Sequence, residues 1–202
     1  MNKLVAVLML ALCSFVASLN AEEITPEQIV EQTSAELLKV INEQSDRIKN
    51  EDGYVNQVVN DLILPVIDLQ SMGKLILGKH WKTASEEQRS QFIDEFKLML
   101  IRTYAKSIAD YGHAKVTVFP PQGVQKGKRH RVKSQLDLGS GTPLQVDYVF
   151  RMKEDSWKVF DLVVDGLSLI KNFRTSFSQE ISETSLDALI NRLANTNTDA
   201  AA

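Results

Sequence analysis

The sequence predicts an α+β fold: a single domain of several helices packed on a small antiparallel sheet of about four strands. Three observations predict it. Apolar residues recur at helical spacing as far as Gly112; the period changes to two from Lys115; and helical spacing returns after Asp165-Gly166. No repeat and no linker-like stretch divides the chain, so helices and sheet belong to one unit.

Each element has its own signal. Thr25-Pro26-Glu27-Gln28 combines an N-cap threonine, a proline at the first helical position and a capping-box glutamine; Ile29, Thr33, Leu37, Val40, Ile41 and Ile48 follow as an apolar stripe. Asp52-Gly53 ends that helix, Tyr54 to Leu64 reads as a short one stopped by Pro65, and Asp68 caps another carrying Leu69, Met72, Leu75 and Ile76. The longest begins at Ser85, whose spacing to Gln88 repeats the capping box. Its stripe is Phe92, Phe96, Met99, Leu100, Tyr104, Ile108 and Tyr111, and Gly112 ends it. Alternation then marks strands at Val116 and Val118, from Val132 to Leu138, and from Leu144 to Met152, with turns at Gly139-Ser140-Gly141 and Lys153-Glu154-Asp155-Ser156. The fourth strand, Trp157 to Val164, is apolar on both phases, as expected of a strand that is covered on both faces or borders something apolar. Leu167, Ile170, Phe173, Phe177 and Ile181 mark a further helix, and Ser185 to Leu193 gives the last.

Residues 1–21 read as a secretory signal peptide: Lys3 precedes an apolar run from Leu4 to Val16, and Ala21 stands before Glu22 and Glu23. The apolar run is shorter than the roughly 20 residues a membrane-spanning helix requires. The domain then occupies residues 22–195, and 196–202 form a small, polar, frayed tail. Cys13 is the single cysteine and lies within the signal, so the exported protein has no disulfide or thiolate ligand and depends on an apolar core. Loss of Lys3 takes the formal charge from −3 to −4, a balance that does not favour nucleic acid.

No group of residues spells catalysis. His80, His113 and His130 are dispersed without metal-ligand spacing, Gly139-Ser140-Gly141 lacks the spacing of a nucleophile elbow, and no phosphate-binding loop or other cofactor motif is present. Asp161 and Asp165 share a strand phase, but strand spacing holds them too far apart to share a proton. The basic run Lys126, Lys128, Arg129, Arg131 and Lys133 fits a solvated hairpin that blunts a sheet edge, or a docking surface for an acidic partner or anionic headgroups. Met72, Ile76, Phe96, Met99, Leu100, Tyr104, Val146, Tyr148, Phe150, Val163, Leu167, Ile170 and Phe173 would turn to the space between helices and sheet. The residues alone favour a close-packed core there, and composition cannot show a cavity.

The segment from Trp157 to Ile170 resembles the strand-turn-helix signature of the MlaC (toluene-tolerance) family of periplasmic phospholipid-binding proteins. The likeness continues at Leu64-Pro65, Leu75 to Ser85, Gln88-Arg89, Phe92 to Phe96, Tyr104-Ala105 and Leu186 to Ile190, in the family's order. Asp165 stands where the family more often has glutamate, and Thr184-Ser185 lacks the glycine that often precedes the last helix. The resemblance implies an apolar cavity between sheet and helices that holds phospholipid acyl chains with the headgroup at its mouth. Our own expectation is that the thirteen apolar residues just named line it, with Lys74, Arg102 or Tyr104 as candidates for the mouth. It also implies a periplasmic shuttle between an outer-membrane lipoprotein complex and an inner-membrane ABC-transporter complex that maintains outer-membrane lipid asymmetry. Membrane contact would be transient, and the chain would carry no catalytic residue, cofactor or metal. Two other classes compete with this reading: a cone-shaped, NTF2-like enzyme with Asp161 as its acid or base, and a periplasmic adaptor whose core is filled.

Overall fold

A computed structural model describes residues 24–110, 112–121, 127–139 and 141–199, so the expected signal peptide lies outside the described residues. Helix α1 (Pro26–Glu43) starts on the capping box read from the sequence. The Gln28 amide donates to Thr25 Oγ1, and the Thr25 amide donates to the Gln28 side chain at 2.9 Å. After α2 (Ser45–Asn50) the chain turns through Gly53, at φ +79°, into α3 (Tyr54–Val58).

The sequence predicts one helix from Tyr54 to Leu64. The chain instead widens into a π turn at Val59–Ile63 and tightens into a 3₁₀ turn at Leu64–Val66. Pro65 explains the change of pitch: it has no amide hydrogen for the Asp61 carbonyl, and its ring crowds that carbonyl. Asp68 then caps α4 (Leu69–Leu77), accepting from the Ser71 amide at 3.1 Å, and α5 (His80–Thr83) follows. The long helix α6 (Glu86–Asp110) carries the second capping box, with Ser85 Oγ accepting from the Gln88 amide and the Gln88 side chain accepting from the Ser85 amide.

Five strands lie in chain order, each antiparallel to the next: β1 (Lys115–Val118), β2 (Arg129–Asp137), β3 (Leu144–Lys153), β4 (Ser156–Val164) and β5 (Leu167–Ser168). The fifth goes beyond the four expected. Asp165 at φ +48° and Gly166 at φ +82° fold the chain tightly enough for Leu167 and Ser168 to pair back onto Val164 and Val163. The expected helix therefore begins two residues later, as α7 (Leu169–Glu183), capped by Ser168. The last helix, α8 (Leu186–Asp199), runs past the expected stop near Leu193 and through much of the segment read as a frayed tail. Asn197 donates to the Glu95 carbonyl and carboxylate, and Arg102 donates to the Asn197 side chain at 2.9 Å, which ties this end to α6.

The sheet separates two apolar clusters. On one side α4, α6, α7 and α8 close around Phe92, Phe96, Phe177, Ile76, Leu77, Leu189 and Leu193, with Phe160 reaching in from β4. Phe92 and Phe96 stack at 5.8 Å, while Phe173 meets Phe96 edge-on at 5.2 Å, so this side is filled by interlocked rings. On the other side α1 lays Val30 against Val132, Phe150 and Val159. Strand β4 thus has apolar residues on both faces because both faces are covered.

A β-bulge adjusts the register between the two. Val149 pairs with Asp161 but Phe150 pairs with Val159, so Phe160 is the extra residue. Strict alternation would set Val159 with Asp161 and Val163; the bulge sets it instead on the face of Leu162, towards α1.

Candidate functional site

Between α1 and the sheet lies a cavity of about 220 Å³. Helix α1 supplies one wall through Ile29, Val30, Thr33, Ser34 and Leu37, spaced so that they share a face. Tyr148 and Phe150 of β3 with Val159 and Leu162 of β4 form the opposite wall. Ile63, Val66 and Ile67 close one side, and they come from the π and 3₁₀ turns, where irregular helical pitch commonly accompanies function. An isolated parallel bridge from Ile67 to Val159, together with the Asp68 amide donating to the Val159 carbonyl at 2.8 Å, fixes this segment to the sheet.

Polar bonds hold the walls outside the cavity. His130 Nε2 meets Glu27 Oε1 at 2.6 Å, with only 7% and 14% of the two side chains exposed, and His130 lies edge-on to Trp157. This contact joins the first turn of α1 to β2. At the other end of α1, the Asn42 amide donates to the Gly112 carbonyl at 2.8 Å, and a Cβ on Gly112 would come within 2.8 Å of Asn42. Beneath Ile67, the Asp68 carboxylate accepts from Ser71 Oγ and from Lys153 Nζ at 3.1 Å, and Arg151 donates to Ser71 Oγ. Burial pushes the Asp68 carboxyl up, but the Ser71 hydroxyl and amide and the Lys153 ammonium outweigh it and hold the group below the ordinary carboxylate range.

Three hydroxyls interrupt the apolar lining: Thr33, Ser34 and Tyr148. Burial raises the Tyr148 phenol above its usual value, against the opposing hydrogen bonds of Ser134 and Ser34, so it stays neutral at physiological pH. The described lining holds no carboxylate, imidazole, amine or thiol. Such a surface can sequester hydrocarbon, but it offers no general base poised near neutrality.

Of the apolar residues expected to line a cavity, Tyr148 and Phe150 do so. Met72, Ile76, Phe96 and Ile170 are buried in the ring-filled cluster, with Met99, Leu100 and Phe173 packed against it, because α6 and α7 cover the opposite face of the sheet. Val146 and Val163 are buried in the sheet without reaching the cavity, and Leu167, displayed on the β4–β5 turn, is 76% exposed. The side chain of Tyr104 lies outside the described residues. Neither cation expected at a mouth approaches: Lys74 is exposed on α4, and Arg102 is bound to α8 through Thr196 and Asn197. Sequence reasoning missed Ile29, Val30, Thr33, Ser34, Leu37, Ile63, Val66, Ile67, Val159 and Leu162. The stripe Ile29, Thr33, Leu37 was the available signal, since hydroxyl and aliphatic residues alternate there on a face that must be buried.

The remaining candidates have structural partners. Asp161, on the face of β4 away from the cavity, accepts from Ser168 Oγ at 2.7 Å and from the Ile170 amide at 3.1 Å, which orients the start of α7 rather than a substrate. Asp165 accepts from the Gln145 amide and completes the turn. His113 bonds the Leu138 carbonyl, His80 lies near Ser178, and no three His, Cys, Asp or Glu among the described residues could hold a metal. In the basic run, Lys126 lies outside the described residues, Arg129 sits over the Phe160 ring, and Arg131 pairs with Asp147 at 3.0 Å.

Known proteins resemble this chain. The chain is 23% identical to the intermembrane phospholipid transport system binding protein MlaC of Haemophilus influenzae over 197 residues, covering 96% of this chain and 92% of that one. It is 27% identical to the toluene tolerance protein ttg2D of Pseudomonas putida over 164 residues, 81% of this chain and 76% of that protein. A phospholipid-binding protein from Ralstonia solanacearum, solved in complex with a phospholipid, superposes with a TM-score of 0.80 at 27% identity, covering 87% of this chain and 98% of that one. The family model for MlaC protein matches residues 31–195, a span that contains the sheet, the cavity's β3 and β4 wall and most of α1, and the chain therefore belongs to the MlaC protein family.

Proposed function

We propose that this chain is the phospholipid-binding component of an intermembrane transport system, holding acyl chains between α1 and the sheet. The observation that carries the reading is the cavity itself, walled by aliphatic and aromatic side chains and free of acid–base groups among its described lining. The likeness to a phospholipid-bound structure and to an intermembrane phospholipid transport protein supports it.

The physics demands such a carrier. Two acyl chains of about 16 carbons, at roughly 0.8 kcal/mol per methylene, represent on the order of 25 kcal/mol of transfer out of water. An apolar cavity removes most of that barrier and leaves membrane and carrier close in free energy. Direction then comes from the partners. At about 220 Å³ the cavity is smaller than the roughly 300–1,000 Å³ of pockets for drug-sized ligands, so loading displaces a wall. Helix α1 and the π and 3₁₀ turns are the walls that can yield, because the strands opposite are held on both sides by backbone ladders.

In this reading residues 1–21 export the chain to the periplasm, and the carrier exchanges phospholipid between an outer-membrane lipoprotein complex and an inner-membrane ABC-transporter complex, preserving outer-membrane lipid asymmetry. No described helix is long and apolar enough to cross a membrane, which fits transient contact with either bilayer. The chain itself is not an enzyme, and any ATP hydrolysis belongs to the transporter. The test is to purify the protein from the exported fraction, extract it with organic solvent, and identify released molecules by mass spectrometry. Near-stoichiometric phospholipid, absent from an identically handled control, is expected; no release and no uptake of added lipid would overturn the reading.

A further inference from the structure

Helix α1 is seated at its two ends and spans the cavity between them. Of its 18 residues only Pro26, Val30 and Ile41 are buried, so nothing from Glu31 to Val40 is packed as core. In that stretch Thr33, Ser34 and Leu37 face the cavity. The two seats differ in kind. At the C-terminal end the Asn42 side chain donates to the Gly112 carbonyl at 2.8 Å, and the backbone continues into α2 through Gln44, whose φ of −118° and ψ of 26° break the helix.

At the N-terminal end Ile24 and Thr25 are exposed, and the first turn is held to β2 by Glu27 Oε1 and His130 Nε2 at 2.6 Å. A carboxylate only accepts, so the imidazole N–H donates. His130 pairs with Phe150 across the ladder, and Glu27 precedes Val30 by about one helical turn. Phe150 and Val30 both line the cavity, so this bond joins the two walls beside the void. Both side chains are largely covered, so deleting one partner leaves the other without a bond, whereas parting the walls lets water replace the bond for both.

We propose that α1 is a lid: the Glu27–His130 bond latches it over the empty cavity, and lipid loads as the latched end swings out about the Asn42–Gln44 end. The proposal rests on the cavity being the lipid site, and it assigns the wall displacement that loading requires to one end of one helix. Within α1 only Pro26 and Val30 leave buried positions in the swing, and Asn42 keeps its bond. The latch therefore stabilises the empty protein alone, while the pivot stabilises empty and loaded protein equally. Glu27 and His130 are not among the lining residues; they act through the position of α1.

The test measures equilibrium partition of a fluorescent phosphatidylglycerol between phosphatidylglycerol vesicles and delipidated protein, beside melts of the empty and loaded forms. Glu27→Ala and His130→Ala should each melt lower when empty yet hold the phospholipid about tenfold more tightly, because the bond they remove belongs to the empty state. A merely structural contact would weaken binding along with stability. Glu27→Gln, whose amide oxygen still accepts from Nε2, should return to the wild-type affinity. Asn42→Ala should lower the melting temperature of empty and loaded protein alike and leave affinity unchanged. Unchanged or weaker binding in both latch variants, or an equal gain in Asn42→Ala, overturns the lid while leaving the lipid cavity standing. Failure of the wild type to take up the phospholipid overturns both.

Discussion

Replacing Leu37 by aspartate tests where the lipid sits, because its effects on folding and on binding differ in size. Leu37 is half-buried on α1 and faces the cavity. Full burial of a leucine is worth about 1.5–3 kcal/mol, so loss of half of it costs about 1 kcal/mol and lowers the melting temperature by about 2–4 °C. In the free protein the carboxylate can be wetted through the cavity. Under bound hydrocarbon it must be neutralised, and protonating an ordinary aspartate at pH 7.5 costs about 5 kcal/mol, more than a thousandfold in affinity. At pH 4.5 the same protonation costs only about 1 kcal/mol, so much of the binding should return. The assay is lipid content by solvent extraction after loading at the two pH values, beside circular dichroism melts and a Leu37→Met control. A folded Leu37→Asp protein that carries the wild-type amount of lipid at pH 7.5 would refute the assignment of the α1 cavity.

Phe96→Ala should destabilise the fold by about 3–5 kcal/mol in denaturant titrations while the folded fraction keeps its lipid, because Phe96 belongs to the filled cluster across the sheet; loss of lipid at unchanged stability would contradict that placement. Asp68→Asn should cost about 2 kcal/mol at neutral pH through weaker bonds to Ser71 and Lys153. Because the folded carboxyl lies below its unfolded value, its contribution is complete above the unfolded pKa and disappears as pH falls through the folded one; melts from pH 7 to pH 2 should therefore converge for wild type and variant at the acid end. Asp165→Val should destabilise by about 2 kcal/mol, since a β-branched residue resists φ +48° and the bond to the Gln145 amide is lost, whereas Asp165→Gly should cost less; equal denaturant midpoints for the two would show that backbone strain is not the cause.

Much of the architecture could be read because its signals are local. Thr25 with Gln28 and Ser85 with Gln88 close their capping boxes within one helical turn, and Pro65 bars a regular α-helix from running through it. The cavity was less legible because its location depends on which helix covers which face of the sheet. Strand β4 is apolar on both phases, so its pattern is the same whichever side is filled. The phenylalanines of α6 and α7 carry the strongest apolar signal and take the solid side, where rings can interlock. The cavity falls to the weaker stripe of α1, with Thr33 and Ser34 in it, and to turns whose pitch no periodicity predicts. Ile67 and Val66 reach the cavity only because Pro65 changes the path of the chain before them.

The extra residue at Phe160 also makes this strand unequal in its tolerance of change. Apolar exchanges at Val159 or Leu162 would reshape the ligand space while leaving the ladder intact. Deleting Phe160 acts differently: it removes the extra residue, so the strand pairs one to one with β3 and both flanks keep their register and faces. Val159 and Leu162 would still face α1 with Asp161 on the opposite face, whereas a deletion elsewhere in the strand turns one flank over. The bulge works as a reading frame for the two faces, so mutational libraries across this strand should recover many substitutions and, among single-residue deletions, chiefly those at the bulge.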